Sequence, residues 1–340
     1  MGLTSYILRR VLLSLFVLMG VSIVTFLLAW VVPSNPAIRW VGPRATPEQV
    51  ARARMELGLD RPVYFRYLMY MKNFLQGEWG ISIMTHQPVL RDIATYLPAT
   101  LELLICGMLI AVIVGIPFGV ISAAKNVSLL DHLIRLFSIA GVAVPTFWLG
   151  MLFQLIFFKE LRLLPSGGRI DTIIMVTSPM QKITGFFLVD SIITGNFGAF
   201  KSALTHLILP SLTLAAYPLG LTVRMTRATM LEVLNENYVQ TARAIGLKEA
   251  RVLYIHALRN ALGPVLTVLA LSFAYSLTGT FLIESVFSWP GLGNYAAKAI
   301  PSADYPAIMG LTILVTLFYI TLNLFVDLAL AFLDPRIRLE

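Results

Sequence analysis

The chain has 340 residues, of which 57% are hydrophobic and only 13% charged, and its mean hydropathy of +0.79 excludes an ordinary soluble domain and a disordered one. Twenty-six Lys and Arg against 18 Asp and Glu give a formal charge of +8, but the basic residues form no cluster of the kind that binds nucleic acid, and they are assigned to topology and lipid headgroups. The single cysteine, Cys106, excludes an intrachain disulfide.

About 20 apolar residues are needed to cross the hydrocarbon core. Six stretches meet that length, giving an all-α polytopic membrane protein: Val11 to Val32, Ala99 to Ala123, Leu133 to Phe158, Leu207 to Val223, Leu262 to Phe287 and Ala307 to Leu333. Arg9 and Arg10 precede the first as the charged region of a signal peptide would, but its apolar core is too long and it ends at Val31, Val32 and Pro33 without a small-x-small cleavage site, so a retained anchor helix over 1–32 is expected.

An external domain is expected over 33–95. Thr46, Pro47 and Glu48 carry a helix start, with Gly58 as the stop after Leu57. Tyr64 to Phe74 repeats aromatic residues and methionine at helical spacing, as an interfacial helix or a surface for a binding protein would. Gly115, Pro117 and Gly119 in the second span fit close helix crossing or a hinge. In the second external segment the run Ile183 to Ile193, interrupted by Asp190, is too short to span and suits a re-entrant or surface helix.

Between the fourth and fifth spans lies a polar island, Glu236 to Asn260, reading ENYVQTARAIGLKEARVLYIHALRN. Its pattern is helix, break, helix: Asn237 and Gln240 have capping-box spacing and Gly246 supplies a left-handed stop. Tyr238, Ala242 and Ile245 are expected on one helix face, and Ala242, Ala244 and Gly246 are small enough to let another protein approach. His256 is either a plain polar loop residue or a partner contact.

Ionisable residues at membrane depth are few: Glu102, Glu284 and Asp327. Each is a candidate site because an unpaired charge there is costly. Glu284 is the candidate for the substrate pathway; the plainer account places Glu102 and Glu284 at span ends reached by water, and lets Asp327 hydrogen-bond between helices beside Asn323. Trp289, in the turn Phe287 to Tyr295 (FSWPGLGNY), is either an interfacial anchor or a lip over the external mouth of a pathway. No G-x-x-x-x-G-K-[ST] phosphate loop, HExxH or G-x-S-x-G motif occurs, so an enzyme is not expected and any ATP hydrolysis has to be supplied elsewhere.

The run Ala242, Arg243, Ala244, Ile245, Gly246, followed by His256, Ala257, Leu258, Arg259, Asn260 and Ala261, resembles the EAA-type cytoplasmic loop of ATP-binding-cassette importer permeases, with Ala-Arg-Ala in place of Glu-Ala-Ala. Ile7 to Phe26, Glu56 to Pro62, Ile283 to Gly293, Asp304 to Pro306 and Asp334 to Arg336 are similar to the peptide and nickel branch, nearest to the membrane subunits of dipeptide importers. The resemblance covers nearly the whole chain. It implies a type I ABC importer permease fold: a permease core over 96–333, a cytoplasmic coupling loop over 231–260 and a cytoplasmic tail over 334–340. The coupling residues it implies are Glu236, Tyr238, Thr241, Ala242, Arg243, Ala244, Gly246, His256, Arg259 and Asn260.

Further implications are a second, homologous permease subunit, two ATP-binding subunits that hold ATP and Mg, an external solute-binding protein and a location in the cell (inner) membrane. No cofactor is expected in this chain. Short peptides are the expected cargo; nickel chelates, glutathione and oligosaccharides are the alternatives within the class, and an ion-gradient-driven secondary transporter is the alternative outside it. The loops that fall inside when both termini are cytoplasmic are the shorter ones, so their basic density is higher although a raw count of Lys and Arg does not separate the sides.

Overall fold

A computed structural model describes residues 3–31, 36–42, 44–56 and 58–333. The Asp327 side chain, Leu57, and the Asp334 to Arg336 stretch lie outside the described residues. The chain divides into two compact units, Met1–Leu97 with Asn294–Thr321, and Pro98–Gly293 with Leu322–Glu340.

The first unit opens with α1 (Leu3–Val31), then the short α2 (Pro36–Val41), α3 (Pro47–Glu56) and α4 (Val63–Leu75). Local chemistry sets the bounds of α3. The Thr46 N–H donates to Gln49 Oε1 at 2.9 Å and the Gln49 N–H to Thr46 Oγ1 at 3.3 Å, a reciprocal capping box. At the other end Gly58, at φ +64°, closes a Schellman stop in which the Leu59 N–H reaches Arg54 O at 2.9 Å. The α4 helix packs on α1 through Ser22 and Tyr67, whose hydroxyls lie 2.8 Å apart, and through the rings of Phe26 and Tyr67 at 5.3 Å. It leaves Tyr64, Leu68 and Leu75 exposed, an apolar face suited to a membrane surface. Two buried carboxylates organise the rest: Asp304 accepts from Ser82 Oγ at 2.5 Å and the Met84 N–H at 3.0 Å, and Asp92 accepts from Thr85 Oγ1 at 2.5 Å and Tyr295 Oη at 2.9 Å.

Among the described residues, five helices are long and apolar enough to cross a bilayer, α1, α5 (Val89–Ala124), α10 (Phe197–Val233), the helix ending in α13 (Leu258–Val286) and α15 (Tyr305–Leu333). The expected third span is not one straight helix. It is α6 (Leu129–Ala143) and α7 (Thr146–Phe153, continued as a π-helix over Gln154–Glu160), bent by 110°. Pro145 causes the break: it disfavours helix at the residue before it, and Val144 is extended at φ −80°, ψ 129°.

The seam between α5 and α10 decides whether that bent pair is a span. A Cβ added at Gly107 would lie 3.0 Å from Leu214 Cδ2, one at Gly115 would lie 3.0 Å from Thr222, and one at Gly119 would collide with Thr226. Partners advance in the same direction along both helices, so α5 and α10 run parallel. The chain between them therefore returns across the bilayer, and the bent pair is the apolar segment that does so. This makes six crossings among the described residues, and it makes the small residues of α5 a packing seam rather than a hinge.

Between the bent pair and α10 the chain carries α8 (Thr172–Thr177) and α9 (Phe187–Ile193). Asp190 is buried and accepts from the N–H groups of Ile183 at 3.2 Å, Thr184 at 2.8 Å and Gly185 at 3.0 Å, and from Thr184 Oγ1 at 2.7 Å. Burial disfavours its charge, but the bonds from Thr184, Gly185 and Ile183 outweigh burial and hold its pKa below the usual carboxylate value. A depressed folded pKa means that the stabilisation is present above the unfolded value of about 3.9 and is lost as pH falls through the folded one. Hydrogen exchange should therefore find 183–190 equally protected from pH 8 to pH 5 and released below about pH 4; unchanged protection at pH 3 would contradict it.

Candidate coupling site

The island that follows α10 folds as α11 (Asn237–Ala244), a turn at Gly246, and α12 (Glu249–Arg251), which runs through a π-helical turn (Val252–Ala257) into α13. The expected capping box does not form. Glu236 occupies the cap position without a side-chain bond, and Gln240 Nε2 donates instead to Asn235 O at 3.3 Å. The expected stop does form. Gly246 sits at φ +82°, its N–H reaches Arg243 O at 2.9 Å, and the Leu247 N–H reaches Ala242 O at 3.3 Å, a Schellman motif that suits a residue without a Cβ.

The helix face is rotated from the expected one. Val239 and Ala242, the latter 8% exposed, pack into a cluster with Val120 and Ala123 of α5, Met230 of α10, and Val252, Leu253, Ala257 and Ala261. Tyr238 and Ile245 face outward instead, Ile245 being 71% exposed. Ala242 is thus a floor residue of the island, whereas Thr241, Arg243, Ala244 and Gly246 stand on its surface. Arg243 forms a two-pronged pair with Glu249, 2.7 and 3.2 Å, which bridges the turn. Asn260 Nδ2 donates to Tyr238 Oη at 2.7 Å and ties α11 to the start of α13; Arg259 is exposed beside it. His256 is half-buried, and its Nε2 has no hydrogen-bond partner among the described residues. With Tyr254 and Ile255 also exposed, the island offers an apolar surface rimmed by charge.

Nearby, Arg227 of α10 donates to the buried Asp131 of α6 at 2.8 and 3.0 Å and to Asn126 Oδ1 at 2.8 Å, which pins the 125–128 turn to α10.

Glu284 and Trp289 lie elsewhere in the second unit, and both are interior. Glu284 is 0% exposed and accepts from Thr100 Oγ1 at 2.6 Å, and a Cβ at Gly293 would come within 3.0 Å of its Oε2. Trp289 is 1% exposed and its Nε1 donates to Ala99 O at 2.9 Å. Neither the water-exposed span end nor the interfacial anchor is found, because the turn after α13 folds back onto the start of the second span; Leu292 N–H reaches Thr100 Oγ1 at 2.8 Å. Glu102 is likewise sealed, paired with Arg169 at 2.5 Å and accepting from the Leu188 N–H at 2.8 Å. Sequence reasoning missed Arg169, and it also missed a cavity of about 440 Å³ at the Pro145 bend, bordered by Thr146, Tyr217, Tyr275 and Ser276.

Apolar helices long enough to cross a bilayer, with a polar island braced on the ends of α5, α10 and α13, are the architecture of a polytopic membrane protein. Residues 115–339 match the family described as binding-protein-dependent transport system inner membrane component, and 3–104 match its N-terminal family; the chain belongs to this family of ABC importer permeases. It is 42% identical over 321 residues to the probable D,D-dipeptide transport system permease protein DdpB of Escherichia coli, covering 94% of each chain. It is 41% identical to the dipeptide transport system permease protein DppB of Alkalihalophilus pseudofirmus, covering 98% of this chain and 99% of the relative, and 42% identical to the di/tripeptide permease DppB of Pseudomonas aeruginosa, covering 98% of each. A chain of the inward-facing MetNI methionine ABC transporter shares the fold, with a TM-score of 0.51 at 12% identity over 69% of this chain and 93% of that one.

Proposed function

We propose that the chain forms half of the translocation pathway of an ATP-driven importer of dipeptides and other short peptides, and that the island of 231–260 is where a separate ATPase docks. The family places the chain in a multi-subunit transporter of the inner membrane. The finer composition is our reading: a second, related permease subunit, two ATPases holding ATP and Mg, an external solute-binding protein, and both termini in the cytoplasm. The observation that carries the coupling role is the exposed face of Tyr238, Ile245, Tyr254 and Ile255 above an apolar floor shared with α5, α10 and α13. A partner that grips this face moves three spans together, and closure of the ATPases on ATP is thereby converted into a switch of access. Glu284 and Trp289 are better assigned to bracing the external end of the core, and the route for cargo to the cavity at the Pro145 bend.

The test is uptake of a labelled dipeptide into cells carrying the complete importer. Ile245→Asp places a charge in the docking face without entering the core, so uptake should fall at least tenfold while the protein remains inserted and folded. Undiminished uptake by this variant would remove the docking role, and uptake of a nickel chelate, glutathione or an oligosaccharide in place of peptides would reassign the cargo.

A further inference from the structure

A second site lies in the first unit, away from the island. A cavity of about 340 Å³ sits among the end of α3, α4, the outer part of α1 and the start of α15. That volume is within the range of small-ligand pockets. Its apolar wall includes Phe26, Phe65, Met69 and Met309, and its charged groups are Glu56, Arg61 and Arg66. Tyr70 also borders it, and the Tyr70 hydroxyl is buried without a hydrogen-bond partner among the described residues. A buried hydroxyl left in that state calls for a missing donor or acceptor.

The composition of the lining specifies the ligand. Two guanidinium groups suit a phosphate oxygen, which they bind in a planar, forked geometry. Glu56 adds an acceptor for a primary ammonium, and the aromatic and methionine side chains take a flexible hydrocarbon. Phe26 belongs to a membrane-spanning helix and α4 turns an apolar face outward, so the cavity has hydrocarbon close by as a source. We infer that this pocket holds one aminophospholipid, with its phosphate on Arg61 and Arg66, its ammonium on Glu56, the Tyr70 hydroxyl on a phosphate or ester oxygen, and the start of an acyl chain along Phe26, Met69 and Met309. A peptide zwitterion presents the same two charges, but it has no long hydrocarbon to fill the methionine-lined wall.

Native mass spectrometry of the full-length chain tests this, with phosphatidylethanolamine, phosphatidylglycerol and phosphatidylcholine of identical acyl chains. Phosphatidylethanolamine should bind about tenfold tighter than either of the others, since the second lacks the ammonium and the third cannot donate from it. Glu56→Gln changes one exposed group and should bring phosphatidylethanolamine down to the level of phosphatidylcholine; Arg61→Ala with Arg66→Ala should weaken all three lipids at this site. A photoactivatable phosphatidylethanolamine should label 55–73 in the unaltered chain, a readout that does not depend on any variant folding. Equal affinity for the three lipids, absence of label from 55–73, or displacement of the lipid by a free dipeptide would overturn the assignment, the last by giving the pocket to cargo.

Discussion

Ala242→Glu should abolish peptide uptake and unfold the island, two effects that arise from one cause. Ala242 is buried in an apolar cluster with Val120, Met230, Val239 and Val252, and a carboxylate placed there has no partner within the cluster. Burying an unpaired charge costs several kcal/mol, more than a short helix braced by one Schellman turn and one exposed ion pair can absorb. Hydrogen exchange over 237–261 should therefore rise to the level of an unstructured loop. Ala244→Glu, one residue pair further along on the exposed face, should leave exchange unchanged, because surface substitutions away from special features lie within about 0.5 kcal/mol. If Ala242→Glu kept the protection of the parent protein, the inward orientation of α11 would be wrong.

Arg169→Ala should be the most destabilising single change in the segment 161–196. Arg169 and Glu102 are both buried, their side chains 7% and 4% exposed, and the guanidinium also donates to Gly185 O at 2.7 Å and lies 3.8 Å over the Phe187 ring. Removing one partner of a buried pair leaves the other charge stranded, at a cost of about 3–5 kcal/mol. The loss should appear as a lower denaturant midpoint of the solubilised protein. Adding Glu102→Gln should recover a large part of it, since the neutral amide still accepts from the Leu188 N–H and no longer carries a charge. A double variant no more stable than Arg169→Ala would show that the cost lies in lost packing on Phe187 rather than in the stranded carboxylate.

Features governed by near neighbours were legible in the sequence. The Thr46 start and Gly58 stop of α3, and the Gly246 stop of α11, depend on residues within one turn, and all three take the expected form. The apolar stretches follow from length and composition, but that the bent third stretch counts as a crossing follows only from the parallel α5–α10 seam. Apart from the capping box missing at Asn237 and Gln240 and the bend at Pro145, the departures depend on residues distant in the chain. Hydropathy averaged over Leu133 to Phe158 is blind to a bend, although Pro145 after a β-branched residue was the available sign. Which side of α11 is covered depends on where α5 and α10 end, so Tyr238 and Val239 could not be told apart from spacing alone. The plainer accounts of Glu284 and Trp289 reckon their place from a span end, and no local pattern foretells that the next turn folds onto Ala99 and Thr100. Arg169 carried no signal at all; its partner lies 67 positions earlier.

The glycine-to-threonine seam between α5 and α10 has a mechanical meaning for the importer. Backbones that approach this closely cannot slide past one another without collision, so the two helices tilt as one stiff lever whose short arm is the island. If an ATPase docks on the island as we propose, a displacement of α11 would reach the far ends of α5 and α10 with little loss, and widening Gly119 should slacken that lever while leaving the exposed face of the island untouched.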